Sequence, residues 1–137
     1  KEEIDKIIKN NRYDFVVDAI DTLSPKIALI TACLKNKTKI ISSMGAGGRI
    51  DPSKITFADI SETYHCGLAK AVRKRLQTLG IKKGLKVVFS TEQTERKSII
   101  RTDEERNKKS TVGTISYLPA IFGCYLASYT IRKLIGE

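Results

Sequence analysis

Tyr13-Asp14-Phe15-Val16-Val17-Asp18-Ala19-Ile20-Asp21 decides how this chain is read. Phe15 to Val17 is a short apolar run with two β-branched residues, the pattern of a strand buried on both faces of a parallel sheet. Asp18 and Asp21 follow at its carboxyl end, where open α/β sheets bind their ligands. Ser24-Pro25 then reads as a helix start, with Ser as N-cap and Pro at the first helical position. Strand, acidic turn and capped helix together make a ligand edge. Acids there suit a metal–nucleotide better than a bare phosphate. The plain alternative is a pair of solvated acids in a βα loop.

Outward from this stretch the periodicity stays that of an α/β domain. Upstream, Lys1 to Lys9 carries Ile4, Ile7 and Ile8 at helical spacing. Downstream, Ile27, Ile30, Thr31 and Leu34 mark one face of a helix expected to run to about Asn36, and Thr38 to Ser42 reads as a second parallel strand. Strand, helix and strand form the crossover of a doubly wound fold. Gly45-Ala46-Gly47-Gly48 lacks both the GxGxxG spacing and the Walker lysine, so it reads as a turn needing positive φ or close approach. Arg49-Ile50-Asp51-Pro52 is a further turn, and Ile55 to Ile60 alternates as a strand does.

Ala69 to Leu79 reads as a basic amphipathic helix with Val72, Leu76 and Leu79 inward and Gly80 as its stop. Val87 to Ser90 is another buried strand. Thr91 to Ser110 is polar and aperiodic, which predicts a mobile loop or lid. Ile115 to Ile131 carries no charge but falls short of a membrane span, so Thr114 to Ile135 is expected to be a helix buried against the sheet, with Pro119 tolerated in its first turn.

The 137 residues fit one domain, and 41% hydrophobic with 29% charged residues are the proportions of a soluble globular protein. A net charge of +10 favours a polyanionic partner. The charge is concentrated: Thr63 to Thr91 holds no acidic residue, and Lys70, Arg73, Lys74, Arg75, Lys82 and Lys83 within it are the candidate nucleic-acid contacts, the alternative being a solvated face. Cys33, Cys66 and Cys124 have neither zinc-knuckle nor CxxC spacing, so reduced thiols and a cytoplasmic setting are expected. The chain opens on charged helical residues with no secretory signal and no initiator Met. That predicts a fragment whose amino-terminal part is missing.

The segments Tyr13-Asp14 with Asp18-Ala19-Ile20-Asp21, Pro25-Lys26, Gly45 through Pro52, and Val88-Phe89-Ser90-Thr91-Glu92 occur in an order that resembles the ubiquitin-activating-like adenylating enzymes, the superfamily of the molybdopterin and thiamine sulfur-carrier activators. Within it the chain is most similar to the tRNA threonylcarbamoyladenosine dehydratases, over nearly its whole length. The resemblance implies the carboxyl-terminal half of a Rossmann-like doubly wound sheet, mostly parallel, with a long buried final helix. It also implies a homodimer that uses ATP and Mg²⁺ to activate a carboxylate on tRNA and cyclise the base with loss of water. The family's glycine-rich ATP loop, and the Arg and Lys that grip the phosphates, lie before the position of Lys1, so the chain alone is expected to be inactive.

One site residue follows from the resemblance: Asp21 matches the aspartate that meets ATP through Mg²⁺, a role suited to a hard carboxylate oxygen. Asp18 is expected to be structural, bonding nearby backbone. His65-Cys66 stands where an Asp-Pro pair is expected and invites a nucleophile reading. Neighbours in sequence seldom face each other productively, however, and carboxylate adenylation needs no thiol in its first step. Cys33 and Cys124 read as packing residues. The paired zinc cysteines of the sulfur-carrier activators are absent. Three functions fit the sequence: dehydration of a tRNA base, with tRNA and a sulfur-transfer protein as expected partners; adenylation of a ubiquitin-like carrier; and a basic RNA-binding module without chemistry.

Overall fold

A computed structural model describes residues 1–94, 99–100 and 111–137. The apolar periodicities become four principal helices, α1 (Glu2–Asn10), α2 (Leu23–Lys35), α3 (Gly67–Thr78) and α4 (Tyr117–Leu134). A four-stranded sheet is built from β1 (Val16–Asp18), β2 (Ile40–Ser43), β3 (Ile55–Asp59) and β4 (Lys86–Ser90). Its order is β1-β2-β4-β3, with β1, β2 and β4 parallel and β3 antiparallel to β4. Short 3-10 turns at Pro52–Lys54 and Ile60–Glu62 flank β3.

Two apolar clusters sandwich the sheet. Ile8, Ile27, Ile30, Val72, Leu76 and Phe89 pack with the α1–α3 layer, and Ile41, Ile55 and Val88 meet Leu118, Phe122 and Leu126 of α4 on the other face. Helices on both faces of a mostly parallel sheet bear out the doubly wound reading. Gly80 takes φ +79° just after α3, as a helix-ending glycine should, and Gly48 takes φ +74° in the glycine turn.

Several expectations are corrected. β1 is an edge strand, and Val17 is 44% exposed, because no neighbour covers it on the α4 side. Ser24 is not the cap of α2: Thr22 holds that position without a side-chain bond, and Ser24 and Pro25 lie inside the first turn. Leu79 is half exposed, since α3 ends before it; Ala69, Val72 and Leu76 are drawn inward. The final helix does pack against the sheet as expected, but by one side only. Leu118, Phe122 and Leu126 recur at four-residue spacing and form one buried stripe, while Ala120, Gly123, Cys124 and Ala127 face outward. A single helix over a four-stranded sheet can bury only the side that touches it. Within the expected Thr91–Ser110 loop, Ile99–Ile100 pairs antiparallel with Thr111–Val112; residues 95–98 and 101–110 lie outside the described residues. None of the described helices is long and apolar enough to cross a membrane.

Candidate functional site at the carboxyl edge of the sheet

The parallel strands end at one edge of the sheet, at Asp18, Ser43 and Ser90, with β4 running two residues beyond the partner of Ser43. Asp18 turns inward and is fully buried. Its Oδ1 accepts the Ile20 amide at 2.9 Å, which is the backbone role expected of it. Its Oδ2 accepts the Ser42 hydroxyl at 2.5 Å and pairs with Lys26 Nζ at 2.8 Å. Lys26 is buried as completely as its partner and also donates to the carbonyls of Ile20, at 2.9 Å, and Ser43, at 2.7 Å. Sequence reasoning took Pro25-Lys26 only as part of a motif and missed this role. The available signal was a lone lysine on an otherwise apolar helix face eight residues after a strand-end acid.

Asp21 is exposed, just beyond the buried pair and immediately before α2. Asp18 and Asp21 therefore divide the work that one acidic turn left open: one carboxylate is consumed by the core and the other faces solvent at the strand ends.

The glycine turn leaves β2 beside them. Met44 N bonds Val88 O at 2.9 Å, and Gly48 N bonds Gly113 O at 2.7 Å, which brings the segment before α4 to the same edge. Arg49, 5% exposed, donates to Gly47 O at 2.8 Å and to His65 O at 2.5 Å, and its Nε has no partner among the described residues. His65 sits in the left-handed region at φ +54°, and its Nδ1 lies 3.1 Å from Thr91 O. Glu92 accepts the amides of Ile50 and Asp51 at 3.0 and 2.9 Å, and Tyr117 Oη donates to Ile50 O at 2.6 Å. Arg49 thus ties the glycine turn to the start of α3, while Glu92 and Tyr117 tie the next turn to β4 and α4.

These contacts gather three helix starts at one edge. α2 begins straight after β1, α3 begins beside Arg49 and Thr91, and α4 begins beside Ile50. Each helix N-terminus carries roughly half a positive charge on unsatisfied amides, so the edge favours an anion. Cys66 is not presented there as a nucleophile: it is buried, and its Sγ caps α3 by accepting Ala69 N at 3.4 Å. Burial, with the negative charge of Asp18 adding to it, pushes the Cys33 thiol up to about 11. Cys124, expected as a packing residue, is exposed instead.

The basic residues do not form one patch. Lys70 and Lys74 are exposed one turn apart on α3, Lys70 in its first turn and Lys74 past its middle. Arg73 is half-buried and its Nη1 is spent on Thr63, donating to the carbonyl at 2.9 Å and to the hydroxyl. Arg75 lines a cleft of ≈ 430 Å³ with Ile4, Pro25 and Ile27. Lys82 and Lys83 are exposed in the loop leading into β4, at the opposite edge of the sheet. The clefts in the α1–α3 layer hold none of the strand-end residues described above.

A mostly parallel sheet with helices on both faces and a polar edge at its strand ends defines a doubly wound, Rossmann-like α/β protein. Residues 1–137 match the ThiF family, and the chain belongs to that family. It is 36% identical over 131 residues to a tRNA threonylcarbamoyladenosine dehydratase of Bacillus subtilis, covering 90% of this chain and 52% of the relative. It is 32% identical over 142 residues to the protein of that name in Escherichia coli, covering 91% and 53%. The crystal structure of the E. coli tRNA N6-threonylcarbamoyladenosine dehydratase in complex with ATP superposes with a TM-score of 0.81 at 31% identity, over 97% of this chain and 52% of that one. The same enzyme in complex with AMP gives 0.80 at 30% identity. The chain spans about half the length of the relatives it matches.

Proposed function

We propose that this chain supplies the carboxyl-terminal half of an ATP-dependent tRNA threonylcarbamoyladenosine dehydratase. The observation that carries the reading is the convergence of three helix N-termini on the strand ends, with one exposed carboxylate, Asp21, beside them. Oriented amides favour a polyphosphate. Alone, a carboxylate there would repel it, so Asp21 makes sense as a contact to a divalent cation shared with the phosphates. Among the described residues no group of three acidic, His or Cys side chains could hold a metal unaided. One carboxylate completed by phosphate oxygens and water is the way Mg²⁺ is usually held.

In this reading the carboxylate oxygen of the threonylcarbamoyl group attacks the α-phosphate of ATP and expels pyrophosphate, giving an acyl adenylate; a nucleophile within the same modified base then attacks the acyl carbon and expels AMP, which carries off that oxygen, so the nucleoside is left lighter by one water. The chain's own part is to hold Asp21 outward by burying Asp18, to fix the glycine turn through Arg49, and to neutralise developing pyrophosphate charge with the three helix starts. The exposed Lys70 and Lys74 contribute phosphate contacts to tRNA that position without reading sequence. A cytoplasmic homodimer, with a sulfur-transfer protein as a further partner, belongs to the same proposal.

The test supplies the whole protein with ATP, Mg²⁺ and threonylcarbamoyl-modified tRNA, and follows nucleoside mass and AMP release. Loss of one water from the nucleoside is the expected result, and Asp21→Ala should abolish it. AMP transfer to the carboxyl terminus of a small carrier protein, with the tRNA unchanged, would move the assignment to carrier activation. Binding of tRNA with no nucleotide turnover would leave a binding module.

A further inference from the structure

Lys26 is the buried charge for which the proposed chemistry has no use. Three acceptors surround its ammonium, and they belong to two separate connections: Asp18 Oδ2 and Ile20 O lie in the turn that ends on Asp21, and Ser43 O ends β2 where the glycine turn departs. Neutralising Asp18 would need only the first contact. An apolar pair of similar volume would fill the space as well or better, because burying an ion pair costs desolvation on both sides. The two carbonyls are therefore the informative contacts. Residue 20 is held at both ends of its backbone, its amide by Asp18 and its carbonyl by Lys26, and Asp21 is the next residue. The same ammonium holds the last residue of β2, and Gly45 follows two positions later.

We infer that Lys26 is a positioning residue that couples the Asp21 turn to the Gly45–Gly48 turn, so that the two sides of the strand-end site are ordered together. Supporting bonds of this kind hold a ligand-contacting group in place when it would otherwise sit on a free loop. That the ligand is a metal–polyphosphate rests on the function proposed above; the coupling itself does not.

The coupling is tested without ligand by amide hydrogen exchange on this chain. The variant D18N/K26M removes the ammonium without leaving a lone buried charge. Expected is exchange at least tenfold faster at Ala19–Thr22 and at Met44–Gly47 together, with β4 amides unchanged. Wild-type exchange at either turn would overturn the inference, as would acceleration spread evenly over the sheet. Should that variant not fold, the unaltered chain decides. With ¹⁵N-labelled lysine and ¹³C-labelled carbonyls, a slowly exchanging Lys26 ammonium should show scalar couplings across its hydrogen bonds to the carbonyl carbons of both Ile20 and Ser43, and absence of either rejects the inference. In the whole protein, D18N/K26M should lose at least tenfold of the gain in ATP affinity conferred by Mg²⁺, and a gain equal to that of the wild type would overturn the link between this coupling and Asp21. If the wild type gains nothing from Mg²⁺, the metal reading of Asp21 fails while the exchange result still decides the coupling.

Discussion

Lys26 Nζ lies 2.8 Å from Asp18 Oδ2 with both side chains wholly out of solvent, and the pair joins the first strand to the helix that follows it. Removing one partner strands the other charge in the interior, a loss of about 3–5 kcal/mol. Lys26→Met should therefore lower the urea midpoint steeply, and D18N/K26M should recover a large part of that loss. A single variant as stable as the wild type would show that water reaches the pair.

The orientation of α4 makes a second prediction. Phe122 is buried against Ile41 and Val88, whereas Ala127 on the same helix is exposed. Phe122→Ala should cost about 3–5 kcal/mol, and Ala127→Ser less than about 0.5 kcal/mol, in denaturant titrations of this chain. Equal costs would mean that the helix is rotated from the register described.

Thiol chemistry should sort the three cysteines. Cys124 is exposed, while Cys33 and Cys66 are buried and the Cys33 thiol is held up to about 11 by burial and by Asp18. A maleimide at pH 8 should modify one thiol in the native chain, Cys124→Ser should abolish that reaction, and all three should react in denaturant. The raised Cys33 value also has a sign for stability. Its contribution is complete below the ordinary thiol range and fades as pH rises through about 11.

On the acid side the relevant group is Asp59. Partial burial pushes its carboxyl up, but the Ser61 hydroxyl and amide, the Gly84 amide and the Lys86 charge outweigh that and hold it below the ordinary carboxylate value. A lowered folded value contributes stability above the ordinary range that is lost as pH falls through the folded one. Thermal melts of Asp59→Asn should therefore lose part of the destabilisation seen on acidification. A melting curve as steep in pH as the wild type would assign that loss to other carboxylates.

Replacing exposed lysines should separate the two basic groups. Paired Lys70→Ala and Lys74→Ala changes should reduce the salt slope of tRNA binding by about 0.7–0.9 for each phosphate no longer neutralised. The same changes at Lys82 and Lys83, at the opposite edge of the sheet, test whether a bound tRNA reaches that far. Arg73 is unsuited to a charge test, since its guanidinium anchors Thr63 and its loss unsettles the start of α3.

Much of the fold was legible because periodicity is local. Ile4 and Ile8, Val16, Ile40 and Ile41, Val72 and Leu76, and Val87 to Phe89 each announced an element from spacing alone, with boundaries off by at most two residues. The acidic turn after β1 was likewise legible as a ligand edge. The ranking of its two acids drew on motif order for Asp21. The clamp of Arg49 between Gly47 and His65 had no local signal, since it joins residues 16 apart.

What the sequence determined by itself is which segments are helix or strand and which strand end carries the acids, since both depend on neighbours a few residues apart. Only the tertiary structure decided that β1 is an edge, that α4 buries one side and leaves the other outward, that Arg73 faces Thr63, and that Lys26 reaches Asp18 and Ser43 together. Burial and charge pairing are properties of what lies opposite a side chain, and what lies opposite is set when separate elements of the chain come into contact, as α2 does with the ends of β1 and β2.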